Sequence, residues 1–215
     1  KNRIVVSPMA QYSAEGGTVG DFHMVHLGSR ALGGAGMVFA EMTCVSADAR
    51  ITPGCPGLYE PEHTAAWKRI VDFFHNSTDA KIAIQLGHAG AKGSTRRAWD
   101  GTDLPLDEGN WPLVSASSQQ YLEGVSQLAA EATREDLERI KNDFVRATGE
   151  AQKAGFDWLE LHCAHGFFLD QFARRADRQR DLAAAFAVDL HRNDDRRILQ
   201  QRRIGLGPRG GQRRA

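Results

Sequence analysis

Four short, largely apolar runs, Ile4-Val5-Val6, Met37-Val38-Phe39-Ala40, Lys81-Ile82-Ala83-Ile84-Gln85-Leu86 and Trp158-Leu159-Glu160-Leu161, are separated by stretches with helical spacing. Apolar runs of this length without alternation are strands buried on both faces, and such strands belong to parallel sheets covered by helices. The chain is therefore read as α/β, either a doubly wound sheet or part of a barrel. Ser7-Pro8 ends the first strand, because proline cannot donate into a sheet ladder.

Between the strands, Phe22, Val25 and Leu32 stand at near-helical spacing, closed by Gly33-Gly34, although Gly28 counts against a helix there. Pro61 suits the first turn of a second helix whose apolar face is Ala65, Ile70, Val71 and Phe74. Thr133-Arg134-Glu135-Asp136 reads as a helix start, running through Leu137, Ile140, Phe144 and Ala147 to Lys153, with Gly155 beyond its end. Residues 87–131, rich in Gly, Pro, Asp and Ser, are too long for an ordinary strand-to-helix connection, and segments of that length serve as lids or binding loops. No G-x-G-x-x-G and no G-x-x-x-x-G-K-[ST] occurs, which leaves a Rossmann or P-loop nucleotide site without support.

The hydrophobic fraction of 41% and the charged fraction of 25% are those of a globular domain with a real core. No stretch approaches the roughly 20 apolar residues of a membrane span, and nothing at the N-terminus reads as a signal peptide, so a cytoplasmic location is expected. Cys44, Cys55 and Cys163 are odd in number and widely spaced, fitting neither a disulfide framework nor a zinc site. The net charge of zero conceals a split: residues 1–169 carry 15 Lys+Arg against 21 Asp+Glu, while residues 170–215 carry 12 Arg against 6 Asp. The basic tail has no aromatic after Phe186 on which bases could stack, and nucleic-acid binding is not expected.

Polar residues follow each strand. They are Ser7-Pro8-Met9-Ala10-Gln11-Tyr12, Glu41-Met42-Thr43, Gln85-Leu86-Gly87-His88-Ala89-Gly90 and His162-Cys163-Ala164-His165-Gly166. Side chains at the C-terminal ends of parallel strands leave the packed sheet and converge on a cleft, which is where α/β enzymes keep their chemistry. Two histidines three residues apart at such an end can together hydrogen-bond one anionic oxygen. Taken alone they fit equally well a buried, satisfied histidine beside a surface one. A zinc site is not expected, because no third ligand stands at suitable spacing.

The four strand ends together, with Gly93-Ser94-Thr95 and Glu108-Gly109-Asn110-Trp111-Pro112, resemble the old yellow enzyme family, FMN-dependent NAD(P)H oxidoreductases that fold as a (β/α)8 barrel. The likeness is greatest to the flavin-oxidoreductase part of the salicylyl-CoA and anthraniloyl-CoA hydroxylase type, and it runs from Asn2 to about Phe172. It implies FMN as cofactor and NADH or NADPH as co-substrate, with an electron-poor alkene or an aromatic thioester as acceptor. By that resemblance Gln85 bonds the pyrimidine edge of the flavin, and Ser7, Pro8, Met9, Ala10 and Met42 pack beside the ring. His162 and His165 hold a carbonyl oxygen or phenolate above it, and Tyr12 stands near the same pocket. Donors aimed at the developing negative charge lower the barrier to hydride delivery. The resemblance implies no metal. Assembly with further copies of the chain stays open.

The chain departs from the family pattern in two ways. Phe167 stands where the family usually has a tyrosine that protonates the substrate α-carbon, and general-acid help of about 10²–10⁴-fold is expected to go with that hydroxyl. After Phe172 the likeness stops. Residues 1–172 are thus expected to be the N-terminal four βα units of an FMN-binding barrel, and residues 173–215 a divergent Arg-rich tail, partly helical or disordered, in which the spacing of Leu182, Phe186, Val188 and Leu190 permits one more amphipathic helix. The competing expectation is a truncated or frameshifted non-catalytic remnant that associates with a partner through an exposed sheet edge.

Overall fold

The computed structural model describes residues 2–174; the tail expectations lie outside them. Four parallel strands form the main sheet: β1 (Val5–Val6), β2 (Met37–Cys44), β3 (Lys81–Gly87) and, as the seventh strand in chain order, β7 (Trp158–Leu161). Their spatial order, β1-β2-β3-β7, follows the chain without reversal. A doubly wound sheet reverses its order at a switch point, whereas a barrel adds each strand beside the last. The order therefore decides for the barrel type of winding, of which these strands make up a part. β2 and β3 are buried over almost their whole length, while Val5, Trp158 and Leu161 on the two outer strands are exposed.

The helices α1 (Asp21–Leu32), α2 (Pro61–Ser77) and α4 (Arg134–Ala154) join these strands. The expected start of α4 is realised as a reciprocal cap: Thr133 Oγ1 accepts from the Asp136 N–H at 3.1 Å and the Asp136 carboxylate accepts from the Thr133 N–H at 2.9 Å. Gly155 stops the helix at φ +93, a left-handed conformation that suits glycine. Leu137, Ile140, Phe144, Ala147, Ala151 and Ala154 form its buried face against α2 and β3.

α1 turns differently from the expectation. Phe22, Val25 and Leu32 are exposed, and His23, Leu27, Gly28 and Ala31 face the core instead, an equally helical spacing one position along. Gly28 explains the choice, since a Cβ there would stand 2.9 Å from the Phe73 ring of α2. Its small size lets the two helices close up. Ala65 of α2 is likewise exposed, while Ile70, Val71 and Phe74 are buried as expected.

Residues 87–131 are not one structureless loop. They contain a short helix α3 (Ala98–Gly101) and a small sheet of β4 (Val114–Ser115), β5 (Gln119–Gln120) and β6 (Leu128–Glu131) in the order β4-β6-β5. A last short helix, α5 (Phe168–Ala173), packs on β4. No described helix is long and apolar enough to cross a membrane.

His88, just beyond β3, is fully buried. Its Nδ1 accepts from the Gly90 N–H at 3.0 Å and its ring lies 4.9 Å from that of Phe168. Burial pushes its pKa from the ordinary 6.5 down to about 4. As pH falls through 6.5 the unfolded chain takes up a proton at this residue that the folded chain refuses until about 4, so stability present above 6.5 drains away across that window. The loss should come to about 3 kcal/mol. Urea unfolding at pH 7 and pH 4 checks this: His88→Gln should lose about 3 kcal/mol less than the parent between the two, and equal losses would refute the assignment.

Candidate active site

At the C-terminal end of the main sheet the register places Met42 beside Gln85 and Gln85 beside Glu160. That row exists because β2 skips one partner between Ala40 and Met42, leaving Glu41 as the extra residue of a bulge. A bulge re-aims the side chains around it, and here Ala40, Glu41, Met42 and Thr43 are all buried. It also carries β2 past Ala40, where the apolar run stops, to Cys44. Gln85 Nε2 donates to the Glu160 carboxylate at 2.7 Å, which fixes the plane of the amide. Next along, Gly87 is a floor without a side chain: a Cβ there would lie 2.9 Å from the Met42 side chain and 3.4 Å from His162 Cβ.

Glu41 turns toward the segment that leaves β1. Its Oε2 accepts from the Gln11 N–H at 2.7 Å and the Tyr12 N–H at 3.4 Å, while its Oε1 lies 3.4 Å from His23 Nε2. The carboxylate thereby anchors the stretch holding Ser7, Pro8, Met9 and Ala10, of which Met9 presents nearly half its surface to solvent. Tyr12 takes φ +51, an uncommon conformation for a bulky residue and costly unless its surroundings enforce it. The enforcement comes from Glu41 on one side and Gly54 on the other, where an added Cβ would stand 2.1 Å from the Tyr12 carbonyl oxygen. Burial, reinforced by Cys55, Asp103 and Glu41, pushes the Tyr12 phenol up to about 12. At neutral pH it is a hydrogen-bond donor.

His162 continues β7, its N–H donating to the Leu86 carbonyl at 2.8 Å. Burial first, then the neighbouring His165, lowers its pKa, so the ring is neutral at pH 7. Nδ1 accepts from the Ala164 N–H at 3.4 Å, which leaves the ring proton on Nε2, available to an oxygen. His165 and Gly166 are consecutive left-handed residues, φ +59 and +77, and this turn brings the exposed His165 ring to 5.1 Å from that of His162, nearly perpendicular. The Asp170 carboxylate holds the turn by accepting from the Gly166 N–H at 2.7 Å. Phe167 is buried with its ring 4.4 Å from His162.

Met42, Gln85, His162 and His165 are thus gathered on one end of the sheet, with Ser7, Pro8, Met9 and Ala10 carried on the segment that follows β1. Tyr12 is tied to Glu41 and Gly54, and no hydrogen bond joins it to the histidines. Two carboxylates were not assigned a role from the sequence, Glu41 and Glu160. Both are acids set at the end of a buried strand, which was the signal available. Among the described residues no group of three His, Cys, Asp or Glu is placed to hold a metal ion.

Residues 1–181 match the family described as NADH:flavin oxidoreductase / NADH oxidase. The chain is 39% identical over 183 residues to an NADH:flavin oxidoreductase of Gibberella zeae, covering 83% of this chain and 44% of that protein. It is 40% identical over 183 residues to an NADPH dehydrogenase of Listeria welshimeri, covering 84% and 49% respectively. The chain spans about half the length of the curated relatives it matches. Among solved structures, morphinone reductase superposes with a TM-score of 0.70 at 23% identity over 88% of this chain and 56% of that one, a likeness of fold.

Glu41→Ala should leave the Gln11 and Tyr12 N–H groups without their acceptor and cost about 2–3 kcal/mol, read as a lower urea midpoint at unchanged slope. A cost under about 0.5 kcal/mol would show that the carboxylate does not hold the segment.

Proposed function

Because the chain belongs to the NADH:flavin oxidoreductase / NADH oxidase family, the old yellow enzymes, we propose that it provides the ring-binding and acceptor-binding face of an FMN-dependent NAD(P)H oxidoreductase. The observation that carries the reading is the row of Met42, Gln85 and Glu160, with Met42 and His162 flanking the bare floor at Gly87. A flat heterocycle with one apolar and one hydrogen-bonding edge fits such a surface. Pro8, Met9, Ala10 and Met42 supply apolar packing, Ser7 closes the strand behind them, and Gln85 offers its oriented amide to the polar edge.

The chemistry supplied by bound FMN is hydride acceptance from NADH or NADPH and hydride transfer to the β-carbon of an electron-poor alkene or an aromatic thioester-type acceptor. The acceptor's carbonyl oxygen is held by His162 and His165. The neutral His162 ring donates from Nε2 to the charge that develops on that oxygen. Glu160 keeps the Gln85 amide in its plane, and Gly87 keeps the floor open. Tyr12, protonated at neutral pH, would be a further donor on the segment that follows β1. Phe167 has no hydroxyl to give, so the α-carbon proton comes from water or another side chain.

Titrating the purified full chain with FMN and following its visible absorbance tests the reading. The bound ring should shift the flavin band, and Gln85→Ala should weaken binding about tenfold by removing a directed hydrogen bond. NADPH oxidation by the loaded chain is then the second readout. A folded chain that leaves the FMN spectrum unchanged overturns the proposal in favour of a non-catalytic role.

A further inference from the structure

Lys92 ends the 3-10 turn Gly90–Lys92 that follows β3. Every other described lysine is ion-paired: Lys68 with Asp72, Lys81 with Asp157, Lys141 with Glu138 and Lys153 with Glu150. Lys92 has neither an ion pair nor a hydrogen bond from its ammonium among the described residues. It is half-buried, and what it faces are two aromatic rings, with Nζ 4.8 Å from the Tyr121 centroid and 5.6 Å from that of Phe167. Ring faces attract a cation but satisfy none of its three N–H donors with an oxygen.

Both rings belong to the neighbourhood of the histidine pair. Phe167 touches His162 edge-on, and Tyr121 stands over Gly166, where an added Cβ would be 3.7 Å from its ring. Tyr121, His165, Gly166 and Gln171 line a cavity of about 380 Å³. Arg174 also borders the cavity, but its charge is taken by Asp170 at 2.8 Å. Lys92 is therefore the uncommitted charge beside the Tyr121 ring that lines this cavity and the Phe167 ring that touches His162.

We propose that Lys92 and Tyr121 form a carboxylate-binding subsite beside His162 and His165, selecting planar conjugated acceptors that carry a carboxylate apart from the oxygen on the histidines. The subsite deepens the flavin-reductase reading and takes from it the histidine pair as the oxygen anchor. A carboxylate matches a single ammonium, adds a charge-assisted hydrogen bond and lies flat between rings. A phosphate would seek several donors and find one cation.

The test uses 4-hydroxybenzoate and its neutral methyl ester as probes on the full chain, with and without FMN. Binding is followed by NMR on the His162, His165 and Tyr121 ring signals. The acid should bind about tenfold more tightly than the ester, and that preference should shrink to within about twofold in Lys92→Met and persist in Lys92→Arg. An equal affinity for acid and ester, a preference that survives Lys92→Met, or no binding of either probe would overturn the subsite. The FMN titration keeps the two proposals apart. A chain that prefers the acid yet ignores FMN sinks the flavin reading alone, and one that binds FMN without preferring the acid sinks the subsite alone.

Discussion

At Glu41 the second strand gives up one ladder partner, and the whole end of the sheet is arranged around that bulge. Without it, a period of two would send alternate residues of the strand to opposite faces, and Glu41 and Met42 would not both serve the same end of the molecule. With it, Met42 falls into line with Gln85 while the Glu41 carboxylate reaches across to backbone N–H groups of the preceding segment. A buried carboxylate is costly unless hydrogen-bonded, and this one accepts from the Gln11 and Tyr12 N–H groups, with His23 Nε2 3.4 Å away. The sheet and the loop that caps it are thereby one unit.

The same logic of enforced geometry recurs at the other side of the face. Tyr12 and His165 both hold left-handed backbone conformations, and each is bracketed by a group that leaves little alternative: Gly54 packed against the Tyr12 carbonyl, and Asp170 accepting from the residue after His165. Strain of this kind persists where surrounding structure over-determines it. Two of the residues singled out for acceptor chemistry are thus among the four described non-glycine residues with left-handed backbone, and His162, between ordinary strand and strained turn, is kept neutral by burial.

Much of the fold was legible because it rests on local rules. The apolar runs marked the four strands, and Thr133, Asp136 and Gly155 marked both ends of α4 through capping chemistry that needs no tertiary context. The face of α1 was misread, since residues 22, 25 and 32 and residues 23, 27 and 31 both satisfy a helical period and only the packing of Phe73 over Gly28 decides between them. The small sheet within residues 87–131 escaped notice because strands of two to four residues leave no apolar run to detect. The histidines stood out by chemistry at a strand end, and Gln85 through the family resemblance. Glu160 and Lys92 did not, because what defines them is a neighbour in space: the Gln85 amide for one, and a pair of ring faces for the other.

The unreversed strand order has a kinetic side. Each strand of the main sheet pairs with one already made, so no later segment has to be inserted between two earlier ones. A chain emerging from the ribosome can add its units in the order of synthesis, with β2 settling on β1, β3 on β2 and β7 on β3. Among these four strands the growing edge is always the newest one. A sheet wound in this way is built as a sequence is read, from one end to the other.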